Sequence, residues 1–361
     1  MDAGSLRIGL TPRVSGICMK KFSKAVIHLG GPKTGSTVLQ RTLDASRQRL
    51  LREGIIAYPE GLWHAELGSC FASQPDKYVY NVLEPPRSRT SRRRRDHRYL
   101  QKLIGWLDDA PPCQTLVISY EGFPNLDPKG LDRLQNFCSD WAACVQAVFY
   151  VREPISYATS AYAQSIQFGI LPKNPPLSDY HTVLQKITDT FSGNTLTVRE
   201  WRPNEQSDWC VISDFLAVLG VNEAKKFLDT DAPSNRSISE EAVAFGKGII
   251  RSLITAKSLL PASIFYEKFG NQLGLFPGDR FRLPHPDILR VQELSEEQNR
   301  YLTKNWGIYF LNPTISGSSA SATYHSAYEK LGRHFCGQYL KNQPPASSWD
   351  RLKLLLENFH F

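Results

Sequence analysis

The chain has no pair of cysteines at metal-ligand or redox spacing. Its seven cysteines, at 18, 70, 113, 138, 144, 210 and 336, are scattered without a CxxC, and their odd number leaves one unpaired under any disulfide scheme. A zinc knuckle and a disulfide scaffold are excluded, and a reducing, cytoplasmic setting is expected. The first 24 residues hold no apolar stretch of the length an export signal needs, being interrupted by Arg7, Arg13 and three lysines, so no export signal is expected. The most apolar stretches elsewhere, such as 141–151 and 249–265, are too short or too charged for the ~18 uncharged residues of a membrane span. No repeat recurs at any period from 20 to 50 residues, which excludes solenoids and propellers.

What is present is ample material for a core. Hydrophobic residues make up 41% of the 361 and charged residues 22%, with 18 Phe and 15 Tyr. Global disorder, collagen and coiled coil are ruled out. Net charge is +8, and +6 of it sits in residues 87–98, RSRTSRRRRDHR. With the remainder nearly neutral, a nucleic-acid-binding surface spread over the whole protein is not expected. The run itself reads as a solvated mobile loop, or as an anion-attracting flap for a charged glycan, lipid or nucleotide.

Periodicity divides the first ~220 residues into strand, loop and helix units. AVIHLG (25–30) is a short β-branched run stopping at a glycine pair. Residues 36–52 place Leu39, Leu43, Ser46 and Leu50 on one helical face, and 54–59 form a second strand ending at proline. TLVIS (115–119), a helix over 128–141, the continuous apolar strand VQAVFYV (145–151), a helix opening at Pro154, a helix over 178–191 and TLTVR (195–199) repeat the pattern. Strands without polar alternation are what parallel strands covered on both faces look like. The predicted fold is therefore an α/β, P-loop-like doubly wound parallel sheet flanked by helices, with a mostly helical C-terminal part. The expected organisation is an N-terminal extension (1–23), a nucleotide-binding core (24–222) and a helical part of the same domain (223–361).

The stretch HLGGPKTGSTVLQ (28–40) carries the chemistry. A strand running through a glycine turn into a helix leaves successive backbone N–H groups aimed at one point, where the helix dipole favours an anion. The gap from Gly30 to Gly35 and the hydroxyls of Ser36 and Thr37 suit a phosphate. The lysine, however, stands at 33 inside the loop, not before the hydroxyl residue as a nucleotide-triphosphate loop requires. A lysine there can neutralise charge on a bridging oxygen as a group is transferred. No aspartate ends a strand to hold magnesium, which disfavours a metal-dependent P-loop kinase and leaves it as the rival enzyme. The second element is VFYVREPISYATSAYAQ, in which Arg152 ends a strand and Ser156, Ser160 and Gln164 form a polar stripe on the next helix. In a doubly wound sheet both elements fall at the carboxyl ends of strands, where ligands bind.

Pro32, Lys33, Thr34, Gly35, Ser36 and Thr37, followed by Arg152 and by Ser160 eight positions later, resemble the two nucleotide signatures of the sulfotransferase superfamily, whose donor is 3′-phosphoadenosine 5′-phosphosulfate (PAPS). The wording IHLGGPKTGSTVLQ resembles bacterial sulfotransferase-domain proteins of the glycan type, and the likeness covers about residues 24–222. The resemblance implies that the loop residues cradle the 5′-phosphosulfate, that Lys33 stabilises the transferring group, and that Arg152 and Ser160 bind the 3′-phosphate, with no metal. The RKGxxGDW-type segment and the Lys-Thr-His string of the cytosolic small-molecule enzymes are absent, so the resemblance points to a carbohydrate or glycolipid acceptor and away from hormones and phenols.

Transfer to a hydroxyl needs a base. Glu60 and His64, just past the second strand, and Glu121, at the end of TLVISYE, can each serve, and Glu60 and His64 rank ahead of Glu121 on chain position. Trp63, Tyr120 and Tyr162 are candidate apolar faces for an acceptor sugar. A rival of another class is a catalytically idle nucleotide-fold protein holding an anionic partner through 87–98.

Overall fold

The structure is a computed structural model that describes residues 20–58, 65–83, 88–191, 195–202, 209–221, 238–310 and 322–341. Five strands form one sheet: β1 (Phe22–Gly30), β2 (Ile55–Tyr58), β3 (Thr115–Ser119), β4 (Ala142–Arg152) and β5 (Leu196–Trp201). Their order is β2-β3-β1-β4-β5 and every pairing is parallel. The carboxyl ends therefore share one edge, with β1 between β3 and β4.

The helices are α1 (Ser36–Ala45), α2 (Arg47–Arg52), α3 (Ala65–Phe71), α4 (Val79–Leu83), α5 (Arg89–Asp109), α6 (Pro128–Trp141), α7 (Pro154–Gln167), α8 (Tyr180–Thr190) and α9 (Val211–Val218). Beyond them come α10 (Glu240–Thr255), α11 (Ala262–Phe265) and α12 (Asn271–Leu273) on either side of a π-helical turn, α13 (His285–Trp306) and α14 (Ala322–Leu340).

Successive side chains of a strand point to opposite faces, and the sheet shows the consequence. Ala25, Ile27 and Leu29 of β1, Leu116 and Ile118 of β3, and Phe149 and Val151 of β4 pack under α3, α5, α6 and α8. Val26, Val117, Val148 and Tyr150 face α1, α2 and α9, meeting Leu39, Leu43, Leu50 and Phe215. Both faces are covered, as the apolar strands required. Burial of each such leucine is worth about 2 kcal/mol. The helix expected over 36–52 is interrupted at Ser46, yet Leu39, Leu43 and Leu50 remain on the buried face.

A third cluster joins the C-terminal helices to α7. Ala158, Tyr162 and Ile166 of α7 pack with Phe245 and Ile249 of α10, Phe265, Phe269 and Phe335. Helices α10 and α14 cross closely at glycines: a Cβ built on Gly332 would lie 2.1 Å from the Phe245 carbonyl oxygen. Among the described residues no helix is long and apolar enough to cross a membrane.

The arginine run departs from the loop expected for it. Residues 89–98 are the first turns of the 21-residue α5. Arginine is a good helix former, and the Ser88 hydroxyl caps the helix by accepting from the Ser91 N–H at 3.1 Å. The buried face runs Arg92, Asp96, Leu103 and Leu107, a helical period that the density of charge disguised. Arg92 pairs with Asp76, Arg89 reaches the same carboxylate at 3.3 Å, and Arg95 pairs with Asp96 at 2.8 Å and with Asn81 Oδ1 at 2.8 Å. Asp76 and the buried Asp96 thus neutralise the inward Arg92 and Arg95, and Asp76 also meets the exposed Arg89.

Candidate active site

At the end of β1 the backbone enters the left-handed region repeatedly, with φ of 77° at Gly30, 66° at Lys33 and 83° at Gly35. Space explains the first glycine, because a Cβ on Gly30 would come within 2.8 Å of Glu121 Cα. Lys33 holds a left-handed conformation without being glycine, which costs about 1 kcal/mol. Thr34 Oγ1 closes the turn by donating to the Gly31 carbonyl at 2.5 Å. Gly35 then opens α1 with no side-chain cap, so the first-turn N–H groups face the turn unpaired. Ser36 Oγ is buried there beside Glu121.

Arg152, the last residue of β4, closes the opposite wall. Its Nη1 donates to the Lys33 carbonyl at 2.5 Å and its Nε to Ser156 Oγ at 2.9 Å, while the guanidinium lies 4.0 Å from the centre of the Trp201 ring. Tyr180 grips its backbone, the hydroxyl accepting from Arg152 N–H and donating to Arg152 C=O, each at 2.9 Å. Desolvation lowers the Arg152 pKa to about 10, with Tyr180 and Glu153 offsetting part of the effect. Glu153 caps α7 by accepting from the N–H groups of Ile155 and Ser156 at 2.8 and 2.7 Å.

Glu121 follows β3 and so stands on the other side of β1. Burial raises its pKa, and the charge of Lys33 and the hydroxyl of Ser36 oppose the rise. Lys33 answers in kind: burial lowers its pKa, Glu121 raises it and Arg152 lowers it again. Two cations and one carboxylate thus act on one another around a turn of N–H groups, an arrangement with the chemistry to hold a phosphate and to move a proton. Behind Glu121 lie Tyr78, Tyr80 and Tyr120, with ring centroids 5.7 to 5.9 Å apart in sequence and Tyr78 Oη donating to the Gly122 carbonyl at 3.0 Å. Beneath the turn, His28 Nδ1 meets Ser119 Oγ at 2.7 Å, and burial lowers its pKa to about 3, keeping the ring neutral. Among the described residues no three His, Cys, Asp or Glu side chains are grouped to hold a metal ion.

Of the residues singled out from sequence, Lys33, Thr34, Gly35, Ser36, Arg152 and Glu121 meet in this crevice. Pro32 is exposed on the turn and Thr37 is half-buried in the first turn of α1. Ser160 lies half-buried on α7, one turn beyond Ser156, and it is Ser156 that bonds Arg152. Glu60, Trp63 and His64 lie outside the described residues. The strand they follow, β2, is at the sheet edge with β3 between it and β1. Tyr120 and Tyr162 are buried, Tyr120 against Phe123 and Tyr162 stacked on Phe281 at 5.4 Å, because each fills a core cluster. Reading by motif missed Trp201 and Tyr180. Trp201 ends β5 opposite Arg152 in register, a position that the strand-end rule already marks for a ligand site.

No protein-family model matches the chain, and no curated protein matches its sequence. Among solved structures, it is similar to retinol dehydratase in complex with androsterone and the inactive cofactor PAP, at 12% identity and a TM-score of 0.30, over 82% of this chain and 84% of that one. A second similar structure is retinol dehydratase with retinol and PAP, at 13% identity and a TM-score of 0.28 over the same shares.

Proposed function

We propose that this protein is a sulfotransferase that moves a sulfuryl group from PAPS to a hydroxyl of a carbohydrate or glycolipid acceptor. One observation carries the reading: the Arg152 guanidinium is hydrogen-bonded to the Lys33 carbonyl, so a cation at the end of β4 and the glycine turn of β1 share one crevice. A nucleotide phosphorylated at both ends needs two such anion sites within reach of each other. The residues present fit it. The uncapped α1 N–H groups suit the 5′-phosphosulfate, and Arg152, held by Trp201 and Tyr180, suits the 3′-phosphate with Ser156 beside it and Ser160 one turn further along α7.

In the reaction the acceptor oxygen bonds to sulfur while the bond from sulfur to the bridging phosphate oxygen breaks. Glu121, with its raised pKa, takes the hydroxyl proton. Lys33 balances the charge gathering on the departing 5′-phosphate, which leaves as 3′,5′-bisphosphoadenosine. Glu121 is assigned the base because its carboxylate and Lys33 act on each other's charge.

Thermal shift with 3′,5′-bisphosphoadenosine, 5′-AMP and ATP with magnesium tests the donor. The bisphosphate should raise Tm most, and 35S-labelled PAPS should deliver label to a glycan acceptor. A larger shift with ATP and magnesium, together with no labelled product, would overturn the proposal.

A further inference from the structure

The solvent face of α5 takes no part in that site, yet it carries a dense run of exposed cations. Its inward arginines, Arg92 and Arg95, and the exposed Arg89 are matched by Asp76 and Asp96. Arg94 and Arg98 are exposed and, among the described residues, have no carboxylate partner. With Thr90, Ser91 and His97 they line one shallow concavity, and exposed Lys102 extends it by a turn. Cations four residues apart on a helix repel each other. A face shaped only for solubility would interleave acids with them. The single acid of the run, Asp96, is instead buried and bonded to Ser69 and Arg95. Arg94, Arg98 and Lys102 therefore make an unneutralised track about 12 Å long at 1.5 Å per residue.

We propose that this track binds an acidic carbohydrate chain, the anionic arm of the acceptor whose hydroxyl reaches Glu121; the second half of that statement rests on the function proposed above. The connection is structural. Arg92 and Arg95 tie α5 to Asp76 and Asn81, and the segment between those two residues carries Tyr78 and Tyr80, Tyr78 Oη donating to the carbonyl of Gly122, the residue after Glu121, at 3.0 Å. Exposed Val79 lies on the same segment and exposed Val82 just beyond it. On the function proposed above the acceptor is a carbohydrate, so the ligand that fits this track is an acidic stretch of that same chain. The cationic track supplies the charge complementarity for carboxylate or sulfate groups.

The test uses the full chain and the triple variant Arg94→Ser, Arg98→Ser, Lys102→Ser, which leaves the buried face of α5 intact. Calorimetry at 50 and 300 mM NaCl would measure binding of a heparin octasaccharide, oligogalacturonate, neutral dextran, vesicles with anionic phosphatidylserine and a DNA duplex. Both acidic glycans should bind, dextran should not, and added salt should weaken binding. The variant should lose on the order of tenfold in affinity while keeping its circular dichroism and its bisphosphoadenosine thermal shift. In transfer assays the KM for an acidic acceptor should rise by a similar factor with kcat unchanged. Equal glycan binding by variant and parent overturns the proposal, as does tighter binding of vesicles or duplex than of either glycan. If glycan binding fails while the nucleotide shift persists, only this inference falls. If the nucleotide shift is absent while the variant still loses glycan binding, the glycan track stands and the sulfotransferase reading falls.

Discussion

Arg152→Met separates a ligand-binding role from a loop-supporting one. In the free protein the guanidinium is largely desolvated, and a pKa moved from 12.5 to about 10 corresponds to roughly 3 kcal/mol of cost at about 1.4 kcal/mol per pKa unit. Against it stand two charge-assisted hydrogen bonds, to Lys33 O and Ser156 Oγ, worth about 1.5 kcal/mol each, and the stacking on Trp201, worth about 1 kcal/mol. The two sides nearly cancel, so the methionine variant should unfold in urea within about 2 kcal/mol of the parent. Its ligand response should change far more. A phosphate paired with this enclosed cation is worth about 3 kcal/mol or more, so affinity for 3′,5′-bisphosphoadenosine should fall on the order of 10²-fold or beyond. Affinity for 5′-AMP, which lacks the 3′-phosphate, should change by less than about threefold, since this is within 0.7 kcal/mol. Isothermal calorimetry with both nucleotides reads the difference directly. Equal loss for the two would mean that Arg152 only braces the Lys33 turn, and the two-anion reasoning would be refuted.

Three further outcomes are expected. The profile of kcat/KM against pH should be a bell narrower than free side chains allow: the acid limb falls as Glu121 protonates at a pKa raised above 4.5, and the alkaline limb falls as Lys33 loses its charge at a pKa lowered below 10.5. A plateau running from pH 4.5 to 10.5 would contradict both assignments. Glu121→Gln should cut kcat by on the order of 10² to 10⁴ with the bisphosphoadenosine Kd little changed, and retained turnover would move the base to Glu60 or His64. Gly332→Ala, which drives a Cβ against the Phe245 carbonyl, should cost about 1–3 kcal/mol, read as a lower urea midpoint; an unchanged midpoint would show that α10 and α14 can part without penalty.

The fold was legible because its strands are nearly pure in apolar residues. AVIHLG and VQAVFYV carry no polar alternation, and that is the mark of a strand covered on both sides, which β1 and β4 are. The glycine turn was legible for a similar reason: it is local, and its spacing reports the backbone it must make. The arginine run was not, because composition suggested solvent while a four-residue period of inward contacts, Arg92, Asp96, Leu103 and Leu107, made a helix. Pairing of Arg92 and Arg95 with Asp76 and Asp96 decided the matter, and Asp76 is too far along the chain for spacing to expose it.

Partners joined by the sheet, and not by the chain, account for what the motifs left out. Glu60 and His64 lie outside the described residues; Glu121 reaches the turn because β3, and not β2, the next strand in sequence, is inserted beside β1. Trp201 and Tyr180 follow Arg152 by 49 and 28 residues and meet it only because β5 lies beside β4 and α8 packs over the end of that strand. The Arg152 cation is enclosed by an indole ring, a tyrosine and a serine that no spacing of residues expresses. Sequence identifies the residue types able to bind phosphate; strand order decides which of them meet.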